Sequence, residues 1–252
     1  MKKHIYSYIF IMLFIVSCTN KNNMPNETQI VSDKAESEQD VQVEPFNDKL
    51  IDHKPMSGWK AYGLIGKVKT VKENNGYQLE FNTDGNVIKI VKKYSDSESI
   101  FIRKYDSPSM YTEILREGST AYEIILKDNI RKEKIVDDYP DEEKYFSYTF
   151  DKQGRVIEFN DRLTYWNHNS NSYIYEKDSD VLPQKEIFDE GWEDGSCTII
   201  STFEYLKVDN MGNWTERKVN KKVTEYESMG EKKTQKTDSQ IETRIITYFS
   251  VQ

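Results

Sequence analysis

Apolar and polar positions alternate with a period of two along most of the chain beyond residue 58. In YQLEF, Tyr77, Leu79 and Phe81 fall on one side and Gln78 and Glu80 on the other; in YFSYTF, Phe146, Tyr148 and Phe150 oppose Ser147 and Thr149. Successive side chains of a strand point to opposite faces, so the pattern predicts short strands with one buried and one wet face. Similar runs occur at GKVKTVKE, SIFIRKY, MYTEIL, AYEIIL, SYIYEK, CTIISTFEYLKV and TRIITYFSV. Helical periodicity is weak throughout this part, with room for a helix near Asp48–Trp59 or Tyr226–Gln240.

The runs are separated by a recurring punctuation. FNTDGNVIKI starts at Phe81, FDKQGRVIEF at Phe150 and VDNMGNWTER at Val208. Asp and Asn suit the first position of a type I turn, where the side chain bonds to nearby backbone amides, and Gly suits the fourth, where a left-handed conformation starts the return strand. Asn82 and Gly85, Asp151 and Gly154, and Asp209 and Gly212 are therefore expected to form hairpin corners. NTDGN lacks the alternating carboxylates and terminal Glu of a calcium loop.

Gly85 and Gly154 are 69 positions apart, close to three units of about 23, and weaker corners fall at Tyr105–Asp106, at Asp128–Asn129 and within YEKDSDVLPQKEIF. An aromatic strand, an Asx turn, Gly with Arg or Asn, and an apolar return together resemble the YD repeats of Rhs-type proteins. GKVKTVKE followed by such units is similar to a broad group of bacterial lipoproteins. Phe-Asp, Phe-Asn or Val-Asp stands here where those repeats carry Tyr-Asp. The resemblance covers most of residues 62–217 and implies successive antiparallel hairpins in a meander; with the alternating pattern it predicts a mainly all-β domain over residues 58–252, an open twisted sheet of YD-like hairpins. It does not extend to the large shells of long arrays, for which the units are too few.

The amino terminus, MKKHIYSYIFIMLFIVSCTNKNN, has another character. Lys2 and Lys3 precede a mostly apolar run from Ile5 to Val16, well short of the roughly 20 residues a spanning helix needs. Residues 1–17 read as a secretion signal, and Val16-Ser17-Cys18 resembles the lipobox of bacterial lipoproteins. The resemblance implies cleavage before Cys18 and acylation of that residue, giving a protein anchored to the membrane by lipid without spanning it. Thr19, where an Asp would signal inner-membrane retention, points to the outer membrane; TNKNN lacks an acidic export cluster, which favours the periplasmic face.

From Thr19 to about Pro55 aromatic residues give way to Asn, Ser, Glu, Asp and Gln, so residues 18–57 are expected to form a disordered tether. Without Lys2 and Lys3, 43 acidic residues face 33 basic ones and the charge is about −10. Nucleic acid is an unsuitable partner for such a surface.

Candidate chemistry is sparse. Of the three histidines, His53 sits near the tether and His168 lies in YWNHNSNS, which reads as a loop; no serine-triad, zinc or phosphate-loop motif accompanies them. Cys197 is the thiol left after Cys18 and reads as a small buried hydrophobe on a strand. Neither a cofactor nor a metal is implied, and no catalytic set is recognisable. Two stretches suit a ligand: Tyr165 and Trp166 beside Asn-rich polar groups, and Trp192 among Asp189, Glu190, Glu193 and Asp194. Rings next to amides and carboxylates serve sugar sites and peptide grooves. Trp214 takes the packing position of Val87 and Val156. These observations predict a non-catalytic envelope module engaging a protein partner by strand addition at a sheet edge, the alternative being glycan binding or hydrolysis.

Overall fold

The computed structural model describes residues 52, 54–94, 97–116, 118–136, 144–162, 168–193, 195–227 and 232–250, all within the unit Pro45–Gln252. A single helical turn, α1 (Gly58–Ala61), precedes fourteen strands: β1 (Val68–Glu73), β2 (Gln78–Phe81), β3 (Val87–Lys93), β4 (Glu98–Ser107), β5 (Met110–Leu115), β6 (Gly118–Lys127), β7 (Ile130–Ile135), β8 (Tyr145–Phe150), β9 (Val156–Arg162), β10 (His168–Ile174), β11 (Lys185–Trp192), β12 (Gly195–Val208), β13 (Trp214–Glu227) and β14 (Lys232–Tyr248). Each pairs antiparallel with the next, as the meander reading expects.

The sheet is not open. β1 pairs with β14, Val71 opposite Ile246 and Glu73 opposite Arg244, and the fourteen strands close into a barrel. An open meander would leave two rows of backbone groups unpaired, and closure supplies partners for both along the seam. Thr70 and Thr247 hydroxyls lie 2.7 Å apart across it. In the region near Tyr226–Gln240, where a helix was possible, the described residues 226–227 and 232–240 are strand, and near Asp48–Trp59 the described helix is the four-residue α1.

One face of the alternation fills the interior. Val71, Leu79, Ile90 and Phe101 are opposite one another in successive strands and all are buried. Tyr111 stacks on Tyr122 at 4.8 Å, and Phe146, Tyr148 and Phe159 continue the row of rings. Full burial of such a side chain is worth about 1.5–3 kcal/mol. The outer wall carries exposed Lys72, Lys104, Glu123, Lys127, Glu204 and Lys222. A hydrocarbon-facing barrel needs an apolar band there, and Lys at mid-membrane costs about 2–4 kcal/mol. The same wall also carries exposed Ile100, Ile125, Ile241 and Ile245.

In an up-and-down barrel alternate turns share an end. The turns holding Gly85, Gly154 and Gly212 lie at the same end, with φ of 85°, 78° and 92°. Asn82 Oδ1 accepts from the amides of Asp84 and Asn86, and Asp151 and Asp209 do the same for their own turns. The segment from Lys54 to Gly66 is seated on this end. Ser57 caps α1, and the Trp59 indole N–H donates to Val68 O at 2.7 Å. Tyr62 meets Phe81 of β2 and Tyr148 of β8. Asn213, fully buried in the β12–β13 turn, clasps both the N–H and the carbonyl of Ile65.

Candidate functional site

Two groups of charges face inward. In the first, Arg103 on β4 donates to Glu113 on β5 at 2.8 Å and to Glu133 on β7 at 3.3 Å, while Arg131 holds the other oxygen of Glu133 at 2.8 Å. Tyr111 Oη donates to Glu133 at 2.7 Å, and Arg131 reaches Met56 O at 3.1 Å. All four charged side chains are buried. Burial pushes the Glu133 carboxyl up, but Arg131 and Arg103 outweigh it and hold the group below its ordinary range. This is a neutralised, hydrogen-bonded set that rigidifies the wall. An acid or base poised near neutrality needs the opposite shift.

The second group spans the seam. Arg217 of β13 donates through Nε and Nη2 to Glu242 of β14 at 2.9 and 2.7 Å, and Gln240 donates to its other oxygen. Trp214 is buried with the guanidinium groups of Arg217 and Arg244 over its ring at 4.1 and 3.9 Å. Arg244 donates to Trp214 O at 2.5 Å, and burial pulls it down to about 10. Burial also raises the Glu73 carboxyl, against the pull of Asn75 and the two arginines. Trp214 thus packs, and its neighbours are cations.

The strands place the sequence-derived candidates apart. Cys18, His53, Tyr165, Trp166 and Asp194, with residues 1–17 and most of the tether, lie outside the described residues. Trp192 ends β11 and is 40% exposed, its indole folded over Gly195 on the neighbouring strand. It shares the inner face with Glu190, whose carboxyl is raised by burial. Asp189 alternates to the outer face, where Thr198 donates to it at 2.6 Å. Asp189 and Glu190 therefore diverge, and no group of three metal-ligating side chains forms among the described residues. His168 is not in a loop; it opens β10, exposed, with its ring against Gly191 on the outer face. Cys197 is half-buried on β12, and burial together with Glu225 and Glu190 pushes its thiol up to about 11.

A shallow concavity of about 600 Å³ lies beside the β8–β9 corner, lined by Asp151, Arg155, Tyr173 and Tyr175 among others. Arg155 fills its role there internally: it holds Asp151 at 2.6 Å, covers the Tyr175 ring and donates to carbonyls of Lys177, Asp178 and Asp180. It ties the β10–β11 loop to the corner.

The accessible feature that remains is a ribbon. β13 and β14 pair without interruption from Glu216–Thr243 to Glu225–Thr234, yet β1 covers β14 only from Arg244 onward. Above the seam, Gln235–Ser239 are exposed on both faces. Asn74 in the β1–β2 turn bonds Thr243 and Ile241 O and ends the covered stretch. Sequence reading of single strands could not find this feature, because it arises from a difference in length between neighbours. No protein-family model matches the chain, and no curated protein matches it in sequence.

Proposed function

We propose that this chain is a lipid-anchored module of the bacterial cell envelope that binds a protein partner without catalysis. The anchor rests on the apolar run ending at Val16-Ser17-Cys18, and Thr19 favours the outer membrane, with the barrel on its periplasmic side. Exposed Lys72, Lys104, Glu123 and Lys222 on the outer wall agree with anchoring by lipid in place of spanning. The observation that carries the binding role is the exposed upper part of the β13–β14 ribbon, while the buried charges Arg103, Glu113, Arg131 and Glu133 are committed to one another. Closure of the barrel leaves strand addition the stretch of β14 that β1 does not cover. Labelled palmitate should enter the protein and be lost on Cys18→Ala; crosslinking in intact cells should capture a reproducible partner, lost when residues 226–240 are replaced by a short turn. Labelling that survives Cys18→Ala removes the anchor, and a partner retained by the shortened chain removes the ribbon.

A second reading is glycan binding at the rim, favoured by the exposed Trp192 ring with Glu190 on the same face. Binding to envelope glycans that Trp192→Ala abolishes would select it.

A further inference from the structure

We infer that the end of the barrel formed by the Gly85, Gly154 and Gly212 corners docks on the lipid surface, its exposed aliphatic side chains dipping to the acyl boundary. This rests on the lipid-anchor reading and adds to it a face and an orientation.

The turns β4–β5, β6–β7, β10–β11 and β12–β13 share this end with those corners. Their tips are polar, yet large apolar side chains stand exposed beside them. Met110 opens β5, Leu126 lies near the end of β6 and Ile130 opens β7, with 41%, 53% and 40% of each accessible. Val181 lies in the β10–β11 loop, and Leu206 and Val208 are at the end of β12, with 56%, 43% and 56% accessible. Toward the opposite end the described residues expose Ile100, Val136 and Trp192, which belong to strands that are not neighbours.

The occupant follows from where the chain enters the barrel. Residues 19–53 join Cys18 to Lys54, and Lys54 reaches Asp84 in the β2–β3 corner of this same end. A tether of that length keeps the bilayer at a high effective concentration, so contacts too weak to recruit a free protein are enough to hold an anchored one in one orientation. The apolar side chains fall into two groups, on β5–β7 and on β10–β12, with the β8–β9 corner between them. A flat surface meets both groups at once, and it needs only aliphatic tips set in a polar rim. The charges of the rim are mixed in sign and partly paired: Lys54 with Asp84 and Lys152 with Asp178, each at 3.3 Å, and Lys207 with Glu216 at 2.6 Å. That balance suits zwitterionic headgroups, since attraction to an anionic leaflet needs a cluster of unpaired Lys or Arg. Docked this way, the barrel turns the exposed part of the β13–β14 ribbon away from the bilayer.

The test uses the full acylated chain in vesicles of phosphatidylethanolamine and phosphatidylcholine, with Cys197→Ser removing the native thiol. Val208→Cys and, on the outer wall of β13, Lys222→Cys each carry an environment-sensitive fluorophore. Spin labels on the lipid acyl chains should quench the fluorophore at position 208 about twofold or more and the one at position 222 by less than about a fifth. Val181→Asp with Leu206→Asp, both at exposed positions, should lower the quenching at 208 to the level at 222 while the chain still floats with the vesicles and unfolds at an unchanged temperature. An anchored chain whose two fluorophores respond alike overturns the inference and leaves the anchor standing. So does a fluorophore at 208 that is shielded from water yet indifferent to the lipid quenchers, since protein then covers that end. A chain that does not float with the vesicles removes the anchor and this inference together.

Discussion

Tyr111 and Glu133 lie two strands apart, and the phenol of the first donates to Oε2 of the second at 2.7 Å, the oxygen that Arg103 also holds at 3.3 Å. One carboxylate thus joins β4, β5 and β7. Removing it takes the carboxylate from buried Arg131 and leaves Arg103 with Glu113 alone, and the loss of one partner from a buried pair typically costs about 3–5 kcal/mol. Glu133→Ala should lower stability by that amount in urea titration, and Tyr111→Phe by about 1–2 kcal/mol. A loss below about 1 kcal/mol for Glu133→Ala would mean that the arginines are not held by this group.

Acid should act through the same carboxylate and through Glu242. Both have folded values below the ordinary 4.5, the pull of Arg131 and Arg103 on Glu133 and of Arg217 on Glu242 overcoming their burial. Their contribution is complete above that ordinary value and fades as pH falls through the lower folded values. Glu73 has the opposite sign: its raised value disfavours the ionised form in the fold, a penalty relieved as pH falls through that value. Thermal melts should therefore show Glu73→Gln more stable than the parent at pH 7, with the gap narrowing toward pH 4. An advantage independent of pH would contradict it.

Gly85 and Gly154 occupy equivalent corners but have different surroundings. Both have positive φ, so Ala costs each about 1–2 kcal/mol. At Gly85 a methyl group would also come within 2.6 Å of the Trp59 ring, whereas at Gly154 the nearest atom is the Lys60 ammonium at 3.8 Å. Gly85→Ala should therefore be the more damaging by a further ~1–3 kcal/mol. Equal effects in denaturant midpoints would show that Trp59 does not press on this corner.

Cys197 should alkylate slowly. With its thiol raised to about 11, the reactive thiolate is scarce at pH 7.5 and grows about tenfold per pH unit until that value is approached. Iodoacetamide labelling followed by peptide mass spectrometry should show that slope; a rate already level between pH 8 and 9 would refute it.

The strands and corners were legible because their signals are local. Tyr77, Leu79 and Phe81 alternate within five residues, and the turn at Asn82 needs only its own side chain and Gly85. The rings of Tyr111, Tyr122 and Phe146 could be assigned to one side, but their stacking depends on register between strands. Closure had no local mark: Val68 meets Tyr248, and nothing near either announces the other. Arg103, Glu113 and Glu133 each looked like an ordinary charge on a strand, and only lateral alignment brings them together. Trp192, Glu190 and Asp189 are adjacent in sequence and for that reason alternate between faces.

The meeting of Val68 with Tyr248 also bears on how the molecule is made. Thirteen of the fourteen lateral pairings join neighbours in order of synthesis and can assemble as the polypeptide emerges, with short loops to close. The fourteenth cannot begin until the last strand is available, so a growing chain must carry β1 with one flank bare for almost the whole of its production. Such a bare flank is prone to pairing with the wrong partner. Whatever shields β1 during that interval sets the yield of correctly closed rings.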